Sequence, residues 1–237
     1  MSKLSVVILC YRAEQYSEKY LKLVLKSLAE HYVENYQVIL VGNYVKDKQD
    51  ETPKIIAKLA NNYEKVDYLA LEKPSYGWLG WDVRTAFSIT DGTHIALIDG
   101  DGQMPANDIA KCFLSSKKTN ADITMTYRKT RGDGLYRKTL SFMYNTTVKM
   151  LFPYCEIQDL NSKPKVIKRD LLQSLDLKSN GWTIDAEIMI QAMKRNIKVY
   201  QIPTDFIGQP GGRKSFVGYK AILEFIIFLL RFRIRGY

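Results

Sequence analysis

At 237 residues, 46% of them hydrophobic, the chain is long enough to bury a sizeable core and reads most simply as one large domain. Its 35 Lys and Arg against 25 Asp and Glu leave a net charge of +10, which implies an anionic partner: nucleic acid, nucleotide, phosphate or a membrane surface. Three widely spaced cysteines, Cys10, Cys112 and Cys155, exclude a disulfide framework and a zinc site and suit a reducing cytosolic setting. The opening stretch MSKLSVVILCYRAE has too short an apolar run for a signal peptide, so it reads as a first strand over 4–10. Further β-branched apolar runs predict strands over 37–42, 66–71, 94–99 and 122–127. Helical patterns fill the intervals at 17–32, 51–63, 80–90 and 107–118. This alternation predicts an α/β fold with a doubly wound, mostly parallel sheet. From 128 to 216 the pattern is less regular, with a helix over 135–151, a short strand over 165–168, a helix over 184–195 and a strand over 198–203. No repeat, low-complexity tract or Gly/Ser linker divides residues 1–216, and a helical tail over 217–237 follows.

The stretch ALIDGDGQMP, residues 96–105, ends an apolar strand on two aspartates separated by one glycine. In a doubly wound sheet, ligands collect beyond the carboxyl ends of the strands, so Asp99 and Asp101 face that crevice. Two hard oxygen ligands suit Mg²⁺ or Mn²⁺ bridging to a diphosphate, and the glycine lets a phosphate approach the backbone. A calcium loop fails on spacing, because its sixth position is Met104 and its twelfth is Ala110. A solvated loop or a pair of helix-capping acids is the plainer alternative for so short a pattern.

With its flanks, GTHIALID followed by GDGQMPANDI, this segment resembles the family 2 glycosyltransferases of GT-A fold, in particular the dolichyl- and polyprenyl-phosphate sugar transferase branch. Asp99, Asp101 and Gln103 match the family motif, which implies that they hold the divalent metal and the diphosphate of a sugar nucleotide. The resemblance continues in order over about 1–216. Upstream, 75–92 is similar to a glycine-containing loop and helix, with Gly77 and Gly80 near the family glycines. Downstream, Arg128 and Arg137 fall on family arginines and Arg131 lies close by, implying phosphate binding. Asp159 falls on the acceptor-side aspartate, Asp185 and Glu187 on acidic positions at a helix start, and Arg213 and Lys214 in a basic loop. The resemblance also divides the domain into a nucleotide-binding half, 1–127, and an acceptor half, 128–216.

Departures from the pattern are confined to three places. After the first strand only Tyr11 and Glu14 of the usual motif remain, and after the second, VGNYVKD keeps only Val41 and Asp47. Asn43 replaces an aspartate that normally accepts from the nucleobase, and could offer an amide oxygen in its stead. At 161–165, NSKPK replaces a Gly-Phe-Arg arrangement, with Lys163 and Lys165 able to supply equivalent positive charge. Each candidate also has a plainer role. The arginines could form a solvated face, Asp159 a helix cap, and Asp185 with Glu187 the acidic first turn that a helix dipole favours by ~0.3–1 kcal/mol. His31 and His94, the only histidines, read as structural, and Trp78, Trp81 and Trp182 as core or interface residues.

The tail YKAILEFIIFLLRFRIRGY is interrupted by Glu224 and is short of the ~20 apolar residues of a membrane span. It reads as an amphipathic helix lying in the interface, with Ile222, Phe225, Ile226 and Leu229 toward lipid and Lys220, Arg231, Arg233 and Arg235 toward anionic headgroups. A helix that completes the core is the alternative. The resemblance thus implies metal-dependent, inverting transfer of a sugar from a nucleotide sugar to a polyprenyl phosphate, by a peripheral protein at the cytoplasmic face of a membrane. A phosphate acceptor is already anionic and makes no base compulsory, whereas a sugar-hydroxyl acceptor would require Asp159 or Asp185 as base. A same-fold transferase acting on a glycan or lipid-linked saccharide, and a non-catalytic nucleotide- or lipid-binding module, are the other readings. Scattered basic residues without a binding motif argue against nucleic acid.

Overall fold

The computed structural model describes residues 2–46, 49–74, 78–130, 135–153, 156–207 and 219–235. Among these residues seven strands form one sheet: β1 (Leu4–Leu9), β2 (Tyr36–Val41), β3 (Val66–Leu69), β4 (His94–Asp99), β5 (Ile123–Thr130), β6 (Lys165–Lys168) and β7 (Val199–Asp205). The helices are α1 (Gln15–Glu30), α2 (Thr52–Asn62), α3 (Leu79–Ser88), α4 (Asn107–Thr119), α5 (Leu135–Leu151), α6 (Arg169–Ser174), α7 (Ile184–Met193) and α8 (Tyr219–Arg235).

The runs LSVVIL, QVIL and HIAL carry apolar residues at consecutive positions because both faces of these strands are covered. Val7, Leu9, Ile39, Val41, Ile95 and Leu97 point to one side and pack with Val83 and Ala86 of α3, Ile188 and Met189 of α7, and residues of α5 and α8. Val6, Ile8, Val38, Leu40, Ala96 and Ile98 point to the other, against α1, α2 and α4. The expected doubly wound α/β arrangement is therefore present, with a hydrophobic layer on each face.

The strand order is β3-β2-β1-β4-β6-β5-β7. Only β6 runs against the others, inserted between β4 and β5 and paired antiparallel to both. Strands from both sides of residue 128 thus complete one sheet. The periodicity of 165–168 shows a strand but carries no information on its direction, and α6, six residues starting on a charged pair, has no periodic signal.

The last helix differs from expectation in its orientation. Phe228, Leu229 and Phe232 are buried in the core, with Phe232 edge-on to Phe152, the residue that follows α5, at 5.9 Å between ring centroids. Phe225 lies edge-on to Tyr144 at 4.2 Å. Leu229 and Phe225, expected toward lipid, therefore face the protein, while Ile226, Ile227, Leu230 and Ile234 are exposed. The helix has apolar residues almost all round, so the sequence alone could not fix which stripe turned inward. No helix among the described residues is long and apolar enough to cross a membrane.

Candidate functional site

The parallel strands β1, β2, β3 and β4 all end at the same edge of the sheet, and three groups of side chains gather there or beside it. The first lies where β4 gives way to a turn. Asp99 closes the strand with its side chain 38% exposed, and the Gly100 backbone N–H donates to Leu9 O at 2.9 Å, tying the turn to β1. The Oδ1 of Asp101 accepts the Gln103 backbone N–H at 3.0 Å. Gly102 between them has φ +72°, and a Cβ there would fall on the Tyr16 hydroxyl, so the turn admits only glycine without rearrangement. Below it the Tyr20 hydroxyl donates to Met104 O at 3.0 Å, and the Ile207 N–H donates to Gln103 O at 3.0 Å. Burial, and then the negative charge of Asp99, push the Asp101 carboxyl from 3.8 up to about 6. The Nε2 of Gln103 is buried with no hydrogen-bond partner among the described residues.

The second group comes from β6 and α7. Lys163 Nζ donates to Asp99 Oδ1 at 2.8 Å and lies 3.3 Å from Asp185 Oδ2. Lys165 Nζ donates to Asp185 Oδ1 at 2.6 Å and to Ser162 O at 2.9 Å. Both lysines are buried. Burial alone would raise the Asp185 carboxyl, but the two lysines outweigh it and hold the group below its ordinary value. Arg128, in β5, grips Asp159 with Nε to Oδ2 at 2.6 Å and a terminal nitrogen to Oδ1 at 2.8 Å, the two-pronged contact that only a guanidinium makes.

The third group lies past the ends of β2 and β3. Asn43 donates from Nδ2 to Asp82 Oδ1 at 2.9 Å and accepts the Leu71 backbone N–H on Oδ1 at 2.7 Å. Lys73 donates to Asp82 Oδ2 at 2.7 Å and sits 5.0 Å from the centroid of the Tyr11 ring. The Asn43 amide oxygen, expected to be available to a base, is thus already engaged by backbone. Tyr11 and Glu14 are exposed at this edge, and the Glu14 backbone N–H is held by Thr52 Oγ1 at 3.0 Å.

Of the remaining expected residues, Gly80 opens α3 against the loop before α7, where a Cβ would collide with the Ser179 carbonyl oxygen. That contact accounts for glycine at 80 without a ligand. Glu187 is fully buried and accepts the Lys178 and Ser179 backbone N–H groups at 2.9 and 2.8 Å, so it anchors the same loop. Arg137 lies within α5, but its side chain is outside the described residues, as are Gly77, Arg131, Arg213, Lys214 and Asp47. His94 is buried edge-on to Phe113, as a structural histidine, whereas Trp182 is 47% exposed rather than in the core. Lys73 and Asp82 were not among the expected site residues. A signal for Asp82 exists in the helical spacing, since it shares the buried face of α3 with Val83 and Ala86.

The model of glycosyl transferase family 2 matches residues 5–176, which contain the whole Asp-x-Asp turn and both Arg128 and Asp159. The chain is a family 2 glycosyl transferase. Its curated relatives include the undecaprenyl-phosphate 4-deoxy-4-formamido-L-arabinose transferase of Proteus mirabilis, 26% identical over 148 residues, covering 62% of this chain and 44% of the relative. The corresponding Photorhabdus laumondii protein is 28% identical with the same coverage. The family 2 domain described here thus spans less than half of those relatives. Protein MJ0544 of Methanocaldococcus jannaschii is 24% identical, covering 78% of this chain and 81% of its own. Among solved structures, glucosyl-3-phosphoglycerate synthase of Mycobacterium tuberculosis, in complex with Mn²⁺, UDP and glucosyl-3-phosphoglycerate, superimposes with a TM-score of 0.72 at 16% identity, covering 98% of this chain and 80% of its own. A crystal of the same synthase with Mg²⁺ and UDP gives a TM-score of 0.71 at 17% identity, covering 98% and 79%. These neighbours establish that the family 2 domain has the GT-A fold.

Proposed function

We propose that this family 2 glycosyl transferase moves a sugar from a nucleotide sugar to a polyprenyl phosphate, with inversion and with a divalent cation at Asp99 and Asp101. The relatives named as undecaprenyl-phosphate transferases support the acceptor class, and the fold neighbour's Mn²⁺ and UDP support the donor side. The residues present fit a Mg²⁺ or Mn²⁺ ion. Asp99 and Asp101 supply hard oxygens one glycine apart, and the Asp101 carboxyl, raised by burial and then by the charge of Asp99, feels its neighbour directly. The unpartnered Gln103 Nε2 is a donor for a phosphate oxygen. When bound, the cation offsets the negative charge that develops on the departing diphosphate.

The observation that carries the phosphate acceptor is the state of the two candidate bases. Asp159 is gripped by Arg128 through both oxygens, and Asp185 is tied to two lysines that hold its carboxyl below the ordinary range. Neither is poised to take a proton from a sugar hydroxyl. A phosphate monoester acceptor brings its own anionic oxygen and needs none. The exposed Ile226, Ile227, Leu230 and Ile234 of α8, with Phe142, Met143 and Met150 on the neighbouring α5, support action at a membrane surface, where a prenyl tail resides. Arg231 and Arg233 on α8 and Lys149 on α5 add charge that favours anionic headgroups.

The test is a matrix of radiolabelled nucleotide sugars against undecaprenyl and dolichyl phosphates, with Mg²⁺ or Mn²⁺ and with excess chelator. Cation-dependent transfer to a prenyl phosphate is the expected result. Transfer only to a saccharide hydroxyl, or undiminished transfer in chelator, refutes the reading, and binding of nucleotide sugars without any transfer favours a binding module.

A further inference from the structure

Lys163 reaches the metal-binding turn because β6 runs antiparallel to β4. The ladder pairs His94 with Lys168, Ile95 with Ile167, Ala96 with Val166 and Leu97 with Lys165, and just beyond its end the Lys163 ammonium meets the Asp99 carboxylate at 2.8 Å. Lys165 in β6 and Lys163 just before it both reach Asp185 of α7, with Nζ 2.6 Å from Oδ1 and 3.3 Å from Oδ2 respectively. Had this strand been parallel like its neighbours, the lysines would stand at the opposite end of the sheet.

The Lys163 ammonium is only 4% exposed and sits between two carboxylates, Asp99 and Asp185. Although burial disfavours its charge, Asp185 and Asp99 raise its pKa, so it stays a cation. Its charge is also felt at Asp101, where it opposes the upward push of burial and of Asp99. Asp99, Asp101 and Asp185 bring three negative charges to this corner; Lys163 and Lys165 bring two positive ones, while Arg128 and Asp159 cancel each other. Among the described residues the site is therefore left with one net negative charge before any ligand arrives, a weak attraction for a free divalent ion. A diphosphate adds the missing negative charge together with hard oxygen ligands.

We propose that Lys163 is a resident counter-cation of the metal site, a positioning residue that keeps Asp99 engaged and makes the divalent cation bind together with the nucleotide diphosphate rather than ahead of it. This rests on the reading of Asp99 and Asp101 as cation ligands. It predicts strong mutual reinforcement between cation and nucleotide, which by linkage is felt equally by each. Removing the Lys163 charge should release Asp99 and strengthen the field on a free ion.

The test measures free Mn²⁺ by electron paramagnetic resonance in titrations of the full chain, with and without UDP, CDP, ADP and GDP. Lys163→Met is expected to tighten nucleotide-free Mn²⁺ binding by about tenfold and to shrink the reinforcement by nucleotide, while Lys163→Arg stays close to the wild type. Asp185→Asn, which frees the ammonium to pair with Asp99 alone, should shift nucleotide-free Mn²⁺ binding the opposite way, weakening it several-fold. A merely structural lysine gives the reverse for Lys163→Met, because a loosened site binds the ion less well. Unchanged or weaker Mn²⁺ binding in folded Lys163→Met overturns the proposal. If Lys163→Met does not fold, unchanged or tighter binding in Asp185→Asn does so. Wild-type protein that binds no Mn²⁺ even with the nucleotides overturns the metal reading itself, and this inference with it.

Discussion

The carboxyl of Asp101 is raised to about 6, by burial first and the charge of Asp99 second, so its ionised form opposes folding. In the unfolded chain the same group ionises near 3.8. Below that pH both states hold the proton and the group has no effect; between 3.8 and about 6 stability falls as pH rises, and above 6 the full cost is present. Asp101→Asn is therefore expected to stabilise the cation-free protein by about 1–3 kcal/mol at pH 7.5 and to leave it unchanged near pH 4. Urea denaturation at the two pH values checks this, and a stability gain that persists at pH 4 would assign it to packing instead. The Arg128–Asp159 pair has the opposite character. Arg128→Ala removes the guanidinium from a buried carboxylate and should cost about 3 kcal/mol, whereas the double variant with Asp159→Asn should recover part of that loss. Arg128→Lys should retain the charge but lose one prong, with transfer activity falling further than stability. The carboxylates of the turn were legible in the sequence because two acids directly after a buried strand break its pattern. Lys163 was legible only as charge, since its partner Asp99 is set by a strand register that no local pattern encodes.

At the scale of elements, α8 has two different apolar sides. Phe232→Ala removes a ring buried against Phe152 and should destabilise the fold by about 3–5 kcal/mol. Ile234→Glu alters a side chain that is 80% exposed, so it should leave thermal unfolding within about 0.5 kcal/mol of the wild type while weakening co-sedimentation with anionic vesicles. A large loss of stability in Ile234→Glu, with vesicle binding intact, would show that the outer side is packed rather than lipid-facing. Helical spacing revealed that 219–235 is a helix with basic residues near its end, but Phe225, Phe228, Leu229 and Phe232 satisfy an inward stripe as well as Ile226, Leu230 and Ile234 satisfy an outward one. Tertiary contacts with α5 decided between them. The helix α7 shows the same limit from another direction: Ile184–Ala192 is buried on every side, Asp185 and Glu187 included, so its acids cannot be read as a solvated first turn.

For the molecule as a whole, the alternation of strand and helix disclosed a doubly wound sheet because fully buried parallel strands are long apolar runs. The position of β6 stayed hidden, since strand order is a property of pairing between distant segments. That position governs how the protein can be made. The strand β4 has β1 on one side as soon as it is synthesised, but the partner for its other side, β6, follows about 66 residues later. At ~5–20 residues per second a ribosome needs several seconds to supply it. Until then one margin of β4 presents unpaired backbone N–H and C=O groups between apolar side chains, a template for pairing with another chain. Nascent chains arrested with only residues 1–160 outside the ribosome should thus remain protease-sensitive and bind chaperones, whereas chains arrested with 1–207 exposed should be resistant. The strand that delivers Lys163 to its site is also the last piece of the sheet's interior to be laid down, so synthesis cannot close the molecule around an unfinished reaction centre.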